Sequence, residues 1–341
     1  MSSINPYLKY KRRSDRSLDY YTKGIQEQDR FILGEAITLI ESSIEEKRKM
    51  GVELLEATHQ EEGFQSERFA ITGSPGVGKS TFIEALGLQW IKAGHKVAVL
   101  AIDPSSSLSS GSILGDKTRM QYLSAEANAF IRPSPAGKTL GGIAKNTKEA
   151  IQLCEAAGYD KIIIETVGVG QSETLVAQMV DLFLLLILPG SGDEVQGIKR
   201  GIMELADMLI VNKADGDRID LAKRSVKSFS NALRLMRPRH LGWRVPSFSV
   251  SGLEEKNMDQ VATHIEAFYQ KFDVKYIQHL RRDQDHQWFE NQLDQMIIDQ
   301  VKSIPAIRDL IEQESKAIVE GSQNPYAALE ELVQKISVLF S

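Results

Sequence analysis

Lys79 and Ser80 close a glycine-spaced run, Gly73-Ser74-Pro75-Gly76-Val77-Gly78-Lys79-Ser80, with Thr81 next. The spacing G-x-x-x-x-G-K-S suits one chemistry, the gripping of a nucleoside triphosphate by its phosphates. Glycines at 73, 76 and 78 let the backbone bend with its N–H groups turned inward, a nest for anionic oxygens. A helix starting there adds its positive end. The Lys79 ammonium suits the β- and γ-phosphates, and the Ser80 hydroxyl suits Mg²⁺.

A second group, Asn212-Lys213-Ala214-Asp215, has the form N-K-x-D and starts 133 positions after Lys79 (212 − 79). A carboxylate at Asp215 accepts from N1–H and N2–H₂ of guanine together. Adenine has no such donor pair and would leave a buried charge unpaired, a discrimination of roughly 10⁴-fold or more. The Lys213 stem can lie along the base, and Asn212 can brace the neighbouring loop. Ser249-Val250-Ser251 ends the last apolar run, where a backbone N–H is expected to meet guanine O6.

Between these groups stand acids. Asp103, opening Asp-Pro-Ser-Ser, and Asp116, within Gly111 to Met120, suit Mg²⁺ or an attacking water, although Asp-Pro after a strand is as often a plain turn. The Ser- and Gly-rich run between them is expected to order on nucleotide binding. Glu165, with Gly168 three residues on, is similar to the D-x-x-G element of GTPases, Glu standing for the usual Asp. Its carboxylate would lie near Mg²⁺, and the Gly168 amide would sense the γ-phosphate. Gln171 fits water positioning or a solvated loop equally, and Lys199 and Arg200 fit a cation reaching the nucleotide or a partner as well as a solvated loop.

The elements that must position these residues are legible too. Short apolar runs recur at 69–72, 97–102, 130–132, 161–165, 182–188, 208–211 and 245–250, with helical or loop segments between most of them. Unbroken apolar strands alternating with helices imply an α/β fold, a mostly parallel sheet covered by helices on both faces. Ligands of such sheets bind at the carboxyl ends of the strands, where every group above falls. Leu33, Ile37, Ile40 and Ile44 predict one helical face over about 31–55, after some 30 polar residues with few anchors. From about Asp259 the chain reads as helical, with an apolar face at Ala262, Ile265, Phe268 and Phe272. The expected organisation is a helical extension over 1–65, a nucleotide domain over 66–275 and a helical arm over 276–341, whose uncovered apolar faces suggest a homodimer.

Of 341 residues, 42% are hydrophobic and 26% charged, and the net charge is −5, so no overall basic field points to nucleic acid. The one cysteine, Cys154, cannot close an internal disulfide and reads as a packing residue, in keeping with a cytoplasmic setting. Six scattered histidines give no metal-ligand spacing. The longest aliphatic run, Leu182 to Leu188, is too short for a membrane.

The phosphate loop, D-P-S-S from Asp103, G-S-I-L-G-D-K-T-R-M from Gly111, E-T-V-G-V-G-Q-S-E from Glu165, P-G-S-G-D-E-V-Q-G-I-K-R-G from Pro189 and N-K-A-D from Asn212 together resemble the MeaB/ArgK family of methylmalonyl-CoA-mutase-associated GTPases. The resemblance is close over about 30–275. It implies a P-loop G domain with helical extensions at both ends and a homodimer formed through the C-terminal one. It also implies a GTP- and Mg²⁺-dependent chaperone that binds and hydrolyses GTP to GDP. That chaperone gates adenosylcobalamin delivery to an acyl-CoA mutase and protects it, with no membrane or nucleic-acid partner. Cobalamin would bind the mutase, since this chain has no D-x-H-x-x-G signature. Carried over, Lys79 and Ser80 serve phosphate and Mg²⁺; Asp103, Asp116 and Glu165 are the metal and catalytic acids. Lys199 lies in a further switch loop that responds to the partner, and Asp215 with Ser249–Ser251 holds guanine. Two other readings are a nickel-type metallochaperone GTPase and a kinase of a transport-related binding protein.

Overall fold

Among the described residues, seven strands carry the fold: β1 (Glu67–Gly73), β2 (Val97–Asp103), β3 (Ala129–Pro135), β4 (Lys161–Thr166), β5 (Leu182–Ile187), β6 (Met208–Val211) and β7 (Ser247–Ser249). They form one sheet in the order β3-β2-β4-β1-β5-β6-β7, parallel at every pairing. This computed structural model describes residues 16–59, 66–103, 120–135, 140–166, 172–190 and 200–339. The strands answer the seven predicted runs, and β7 is shorter than its run. Burial explains their unbroken apolarity. All six residues of β5 are buried, because helices cover both faces.

Period two sends alternate strand residues to the two faces of the sheet, where three apolar clusters form among the described residues, the third around Leu185, Ile187, Leu209 and Val211. Ala70, Leu100, Ile164 and Phe183 belong to the first, with α1 (Leu18–Gln26), α2 (Arg30–Ile40), α3 (Glu45–Ala57) and α6 (Leu140–Ala156). Phe69, Ile71, Val99, Ile163 and Leu184 belong to the second, with α4 (Lys79–Lys92) and α10 (Met258–Lys271). Between these helices lie α5 (Gln121–Ala125), α7 (Ser172–Ala177), α8 (Arg200–Leu205) and α9 (Ile219–Leu233). Cys154 is buried in the first cluster, and its surroundings push the thiol well above its ordinary range.

The N-terminal region departs from the sequence expectation twice. Residues 18–26 form a helix that buries Tyr21 and Ile25, capped where the Ser17 hydroxyl accepts from Tyr20 N–H. The single helix expected over 31–55 is two. The chain turns at Ser42, whose hydroxyl accepts from Ile44 N–H, and Ile44 leaves the apolar face to stand 53% exposed. A local side-chain acceptor here outcompetes helix continuation.

At the amino ends of the strands lies a buried ionic seat. The Asp181 carboxylate accepts from Arg68 N–H (3.0 Å), Tyr269 Oη (2.9 Å) and the Arg281 guanidinium (2.6 and 2.9 Å). Arg281 also donates to Ser66 O at 2.7 Å, and Gln284 to Val180 O at 2.9 Å. Burial alone would raise the Asp181 carboxyl, but Arg281, then Arg68, more than offset it and hold it below the usual range. Asp207 alongside accepts from Phe183 N–H (2.8 Å) and Arg239 (2.6 Å).

The chain divides into two compact units, Met1–Gln284 and Asp285–Ser341. Helix α11 (Val274–Ser303) runs through the boundary. In the second unit α12 (Pro305–Val319) and α13 (Pro325–Leu339) pair around buried Ile307 and Ala328, with Lys335 donating to Glu314 at 2.6 Å. Met296, Ile297, Leu329 and Val333 there are exposed.

Candidate functional site

Gly73 ends β1 between β4 and β5, so the loop of residues 73–78 leaves the centre of the sheet at its carboxyl edge. Two glycines are required by position. A Cβ on Gly73 would lie 2.4 Å from the Leu186 carbonyl oxygen. Gly78, the residue before α4, has φ +92°, and a Cβ there would lie 2.8 Å from Asn212 Nδ2. Lys79 opens α4 and folds back, its Nζ donating to Gly73 O at 2.8 Å and Ser74 O at 3.4 Å. The loop is thus closed by its own lysine, and Thr81 follows within the first turn of α4.

The register Ile71↔Glu165 sets β4's terminal acid beside the loop. The Ser80 hydroxyl donates to Glu165 Oε1 at 3.2 Å, and Thr166 Oγ1 donates to Thr72 Oγ1 at 2.7 Å beneath. A hydroxyl and a carboxylate meeting at the phosphate loop are the hard oxygen donors that Mg²⁺ prefers, so the residues fit that ion. Asp103 ends β2 on the same edge. Asp116, Gly168, Gln171 and Lys199 lie outside the described residues.

Asn212 joins this corner to the base-side loops. Its Nδ2 donates to Val77 O (2.9 Å) and Gly78 O (3.4 Å), and its Oδ1 accepts from Gly252 N–H (3.1 Å). The bracing expected of Asn212 therefore reaches two loops at once. Lys213, with φ 61°, turns its stem alongside Gly78, its Cε 3.4 Å from where a Gly78 Cβ would be. The Asp215 carboxylate accepts from the Ser251 hydroxyl at 2.7 Å, and Ser251 is buried. Gly78, Thr81, Asn212, Lys213, Asp215, Arg218 and Leu253 line a cavity of about 290 Å³.

One expectation is corrected. The backbone N–H groups of Val250 and Ser251 are not open to a base, because they donate to Val211 O (2.9 Å) and Lys256 O (3.1 Å). Ser249 ends the edge strand with its carbonyl accepting from Asn257 Nδ2 at 3.0 Å. Ser251 contributes its side chain instead, as the holder of Asp215. Arg218 and Leu253 are lining residues that motif reading missed. Neither belongs to a fixed pattern, and only the fold carries them to the cavity.

The chain matches the family model described as "Methylmalonyl Co-A mutase-associated GTPase MeaB" over residues 33–306. A Caulobacter vibrioides protein named as a GTPase is 48% identical over 306 residues, 89% of this chain and 93% of that one. The mouse protein named "Methylmalonic aciduria type A homolog, mitochondrial" is 41% identical over 332 residues, 94% of this chain and 80% of that one. Among solved structures, a crystal structure of "LAO/AO transport system kinase" is similar with a TM-score of 0.75 and 32% identity, covering 98% of this chain and all of the other.

Proposed function

The chain belongs to the MeaB family of mutase-associated GTPases, and from that premise we propose that it binds GTP at the loop of residues 73–81 and spends its hydrolysis on gating an adenosylcobalamin-dependent acyl-CoA mutase. The observation that carries the nucleotide reading is Asp215, held by Ser251 at the wall of a cavity that Gly78 and Thr81 also line. A carboxylate fixed there matches the paired N1–H and N2–H₂ donors of guanine, and Lys213 and Leu253 offer apolar surface to its faces.

On this reading the N–H groups of 73–80 and the Lys79 ammonium bind the phosphates. Ser80 and Glu165, with Asp103 at the neighbouring strand end, would hold Mg²⁺, which when bound neutralises charge on the transferred phosphoryl group. Asp103 and Asp116 are the candidates to orient the attacking water, Gly168 to sense the γ-phosphate, and Lys199 to answer the partner. Ser251 would hold Asp215 for the base, with Ser249 and Val250 leading the chain to it. The mutase is the client because the matched family is described as mutase-associated and because a relative bears the methylmalonic aciduria name. The exposed apolar residues of the far part of α11 and of α13, Met296, Ile297, Leu329 and Val333, support a homodimer through the second unit. The reduced Cys154 suits a cytoplasmic setting.

The test is free phosphate released from GTP and from ATP, with and without the mutase of the same source. Slow release from GTP alone, faster with mutase, is expected, with ATP inert. Equal turnover of ATP would refute the guanine assignment. The name of the LAO/AO transport system kinase favours a second reading, in which γ-phosphate passes to a partner protein. Radiolabel retained on a partner rather than freed would support it. A sharper check of the base site is Asp215→Asn. The new amide should move preference to xanthosine triphosphate, and full retention of GTP preference in competition binding would sink the role given to Asp215.

A further inference from the structure

From Leu221 to Leu253 the chain has seven Lys and Arg residues and no Asp or Glu, although its net charge is −5. The stretch comprises most of α9, the segment after it and β7, at the edge of the sheet. Arg239 is engaged internally by Asp207, and Lys223 meets Asp220 at the surface. Among the described residues, Arg224, Lys227, Arg234, Arg237 and Arg244 take part in no ion pair. Amid these charges Leu235 is 89% exposed and Leu241 81% exposed.

A leucine on a frayed tip would carry no message, but this segment is pinned. Arg239 donates to Asp207 and to Val180 O, both at 2.6 Å. The His240 ring is buried, its nitrogens 2.9 Å from Tyr276 Oη and 3.1 Å from Asp181 O. The Trp243 indole donates to Asp207 O at 2.8 Å, and its ring meets Phe268 edge-on. Some residues of the segment turn in and fix it, while Leu235, Arg237, Leu241 and Arg244 are left at the surface. Lys271 of α10 adds a charge, its ammonium 4.0 Å from where a Gly242 side chain would begin.

We propose that this edge docks an acidic protein surface, with Leu235 and Leu241 as its apolar contacts and the arginines around them as its charged rim. Exposed apolar side chains set among arginines, on a backbone already ordered, are what a protein interface uses, since little freedom remains to be lost on docking. Nucleic acid fits less well. The stretch's three aromatic rings, Phe229, Trp243 and Phe248, are buried, so none is offered for base stacking. A lipid surface fits less well too, because the apolar face of α9 is occupied by the core through Ala222, Phe229 and Leu233. The proposal rests on the reading of a protein partner given above and gives that partner its place on the fold.

The test uses the full chain and the adenosylcobalamin-dependent mutase of the same source. Mutase affinity is measured across a range of salt concentrations for the natural chain, for Arg234→Glu/Arg237→Glu/Arg244→Glu and for Leu235→Ser/Leu241→Ser. All five side chains are exposed and outside the nucleotide site, so basal GTP hydrolysis should stay unchanged. The charge variant should bind about tenfold more weakly or worse and lose most of the salt dependence. The leucine variant should weaken binding while keeping the salt slope. Natural-strength binding by the charge variant would overturn the proposal and leave the client reading standing. A natural chain that does not bind the mutase at all would overturn both. Retention of single-stranded RNA by the natural chain, lost in the charge variant while mutase binding persists, would assign the surface to nucleic acid instead.

Discussion

Asn212→Ala tests whether the phosphate and base halves of the site are one unit. The side chain donates to Val77 O at 2.9 Å and accepts from Gly252 N–H at 3.1 Å. Val77 and Asn212 are 0% and 2% exposed, so water cannot readily replace either bond. Truncation strands one acceptor and one donor, each at about 1–3 kcal/mol, or roughly 2–4 kcal/mol together after some relaxation. Part of that loss should appear as a lower urea midpoint. The rest should appear as a GDP dissociation constant raised about tenfold to a hundredfold, at 1.4 kcal/mol per decade. Asn212→Asp is the decisive companion. It keeps an acceptor for Gly252 but sets a carboxylate oxygen against the Val77 carbonyl, and should be as damaging as alanine. Natural stability and affinity in Asn212→Asp would refute the claim that the bond to Val77 holds the phosphate loop in place.

Three further outcomes are expected. Gly78→Ala must accept a φ of +92° and a contact 2.8 Å from Asn212 Nδ2; a left-handed residue costs about 1–2 kcal/mol before any clash, and nucleotide titration should show binding lost in a chain that still folds. Arg281→Leu leaves Asp181 buried with its main partner gone and should cost about 3–5 kcal/mol of unfolding free energy at neutral pH. The natural Asp181 carboxyl titrates below its unfolded range, so its stabilisation is complete above roughly pH 4 and is lost as acid carries it through its folded titration. In Arg281→Leu burial acts with less opposition, so that acid-side loss should shrink or reverse; urea midpoints between neutral and acid pH read the difference, and parallel curves for the two chains would discredit the Arg281 contribution.

What the sequence made legible followed from locality. A phosphate loop is contiguous, its flanks are contiguous, and strands buried on both faces are apolar throughout, so the loop, the seven strands and Asn212 to Asp215 could be read directly. Side chains that meet only through the fold could not. Arg218 and Leu253 reach the cavity from separate turns, and Asp181 finds Arg281 a hundred positions away. The break at Ser42 was hidden because Leu33, Ile37, Ile40 and Ile44 keep helical spacing across it. The use of Ser251 was hidden for another reason. Its motif suggested an amide donor, but the neighbouring turn takes the amide through Lys256 O, leaving the hydroxyl for Asp215.

The ionic seat beneath the sheet also acts as an index. An apolar seat would let a helix slide by a turn, about 5.4 Å, and trade one leucine contact for another. Arg281 allows no such exchange, since a one-turn slip would leave the Asp181 carboxylate buried without its cation and would also break the bonds to Ser66 and Val180. The start of α11 therefore has one setting along the strands rather than a ladder of near-equal ones, and a pull on that helix is borne by Ser66, Val180 and Asp181, the residues that lead into β1 and β5.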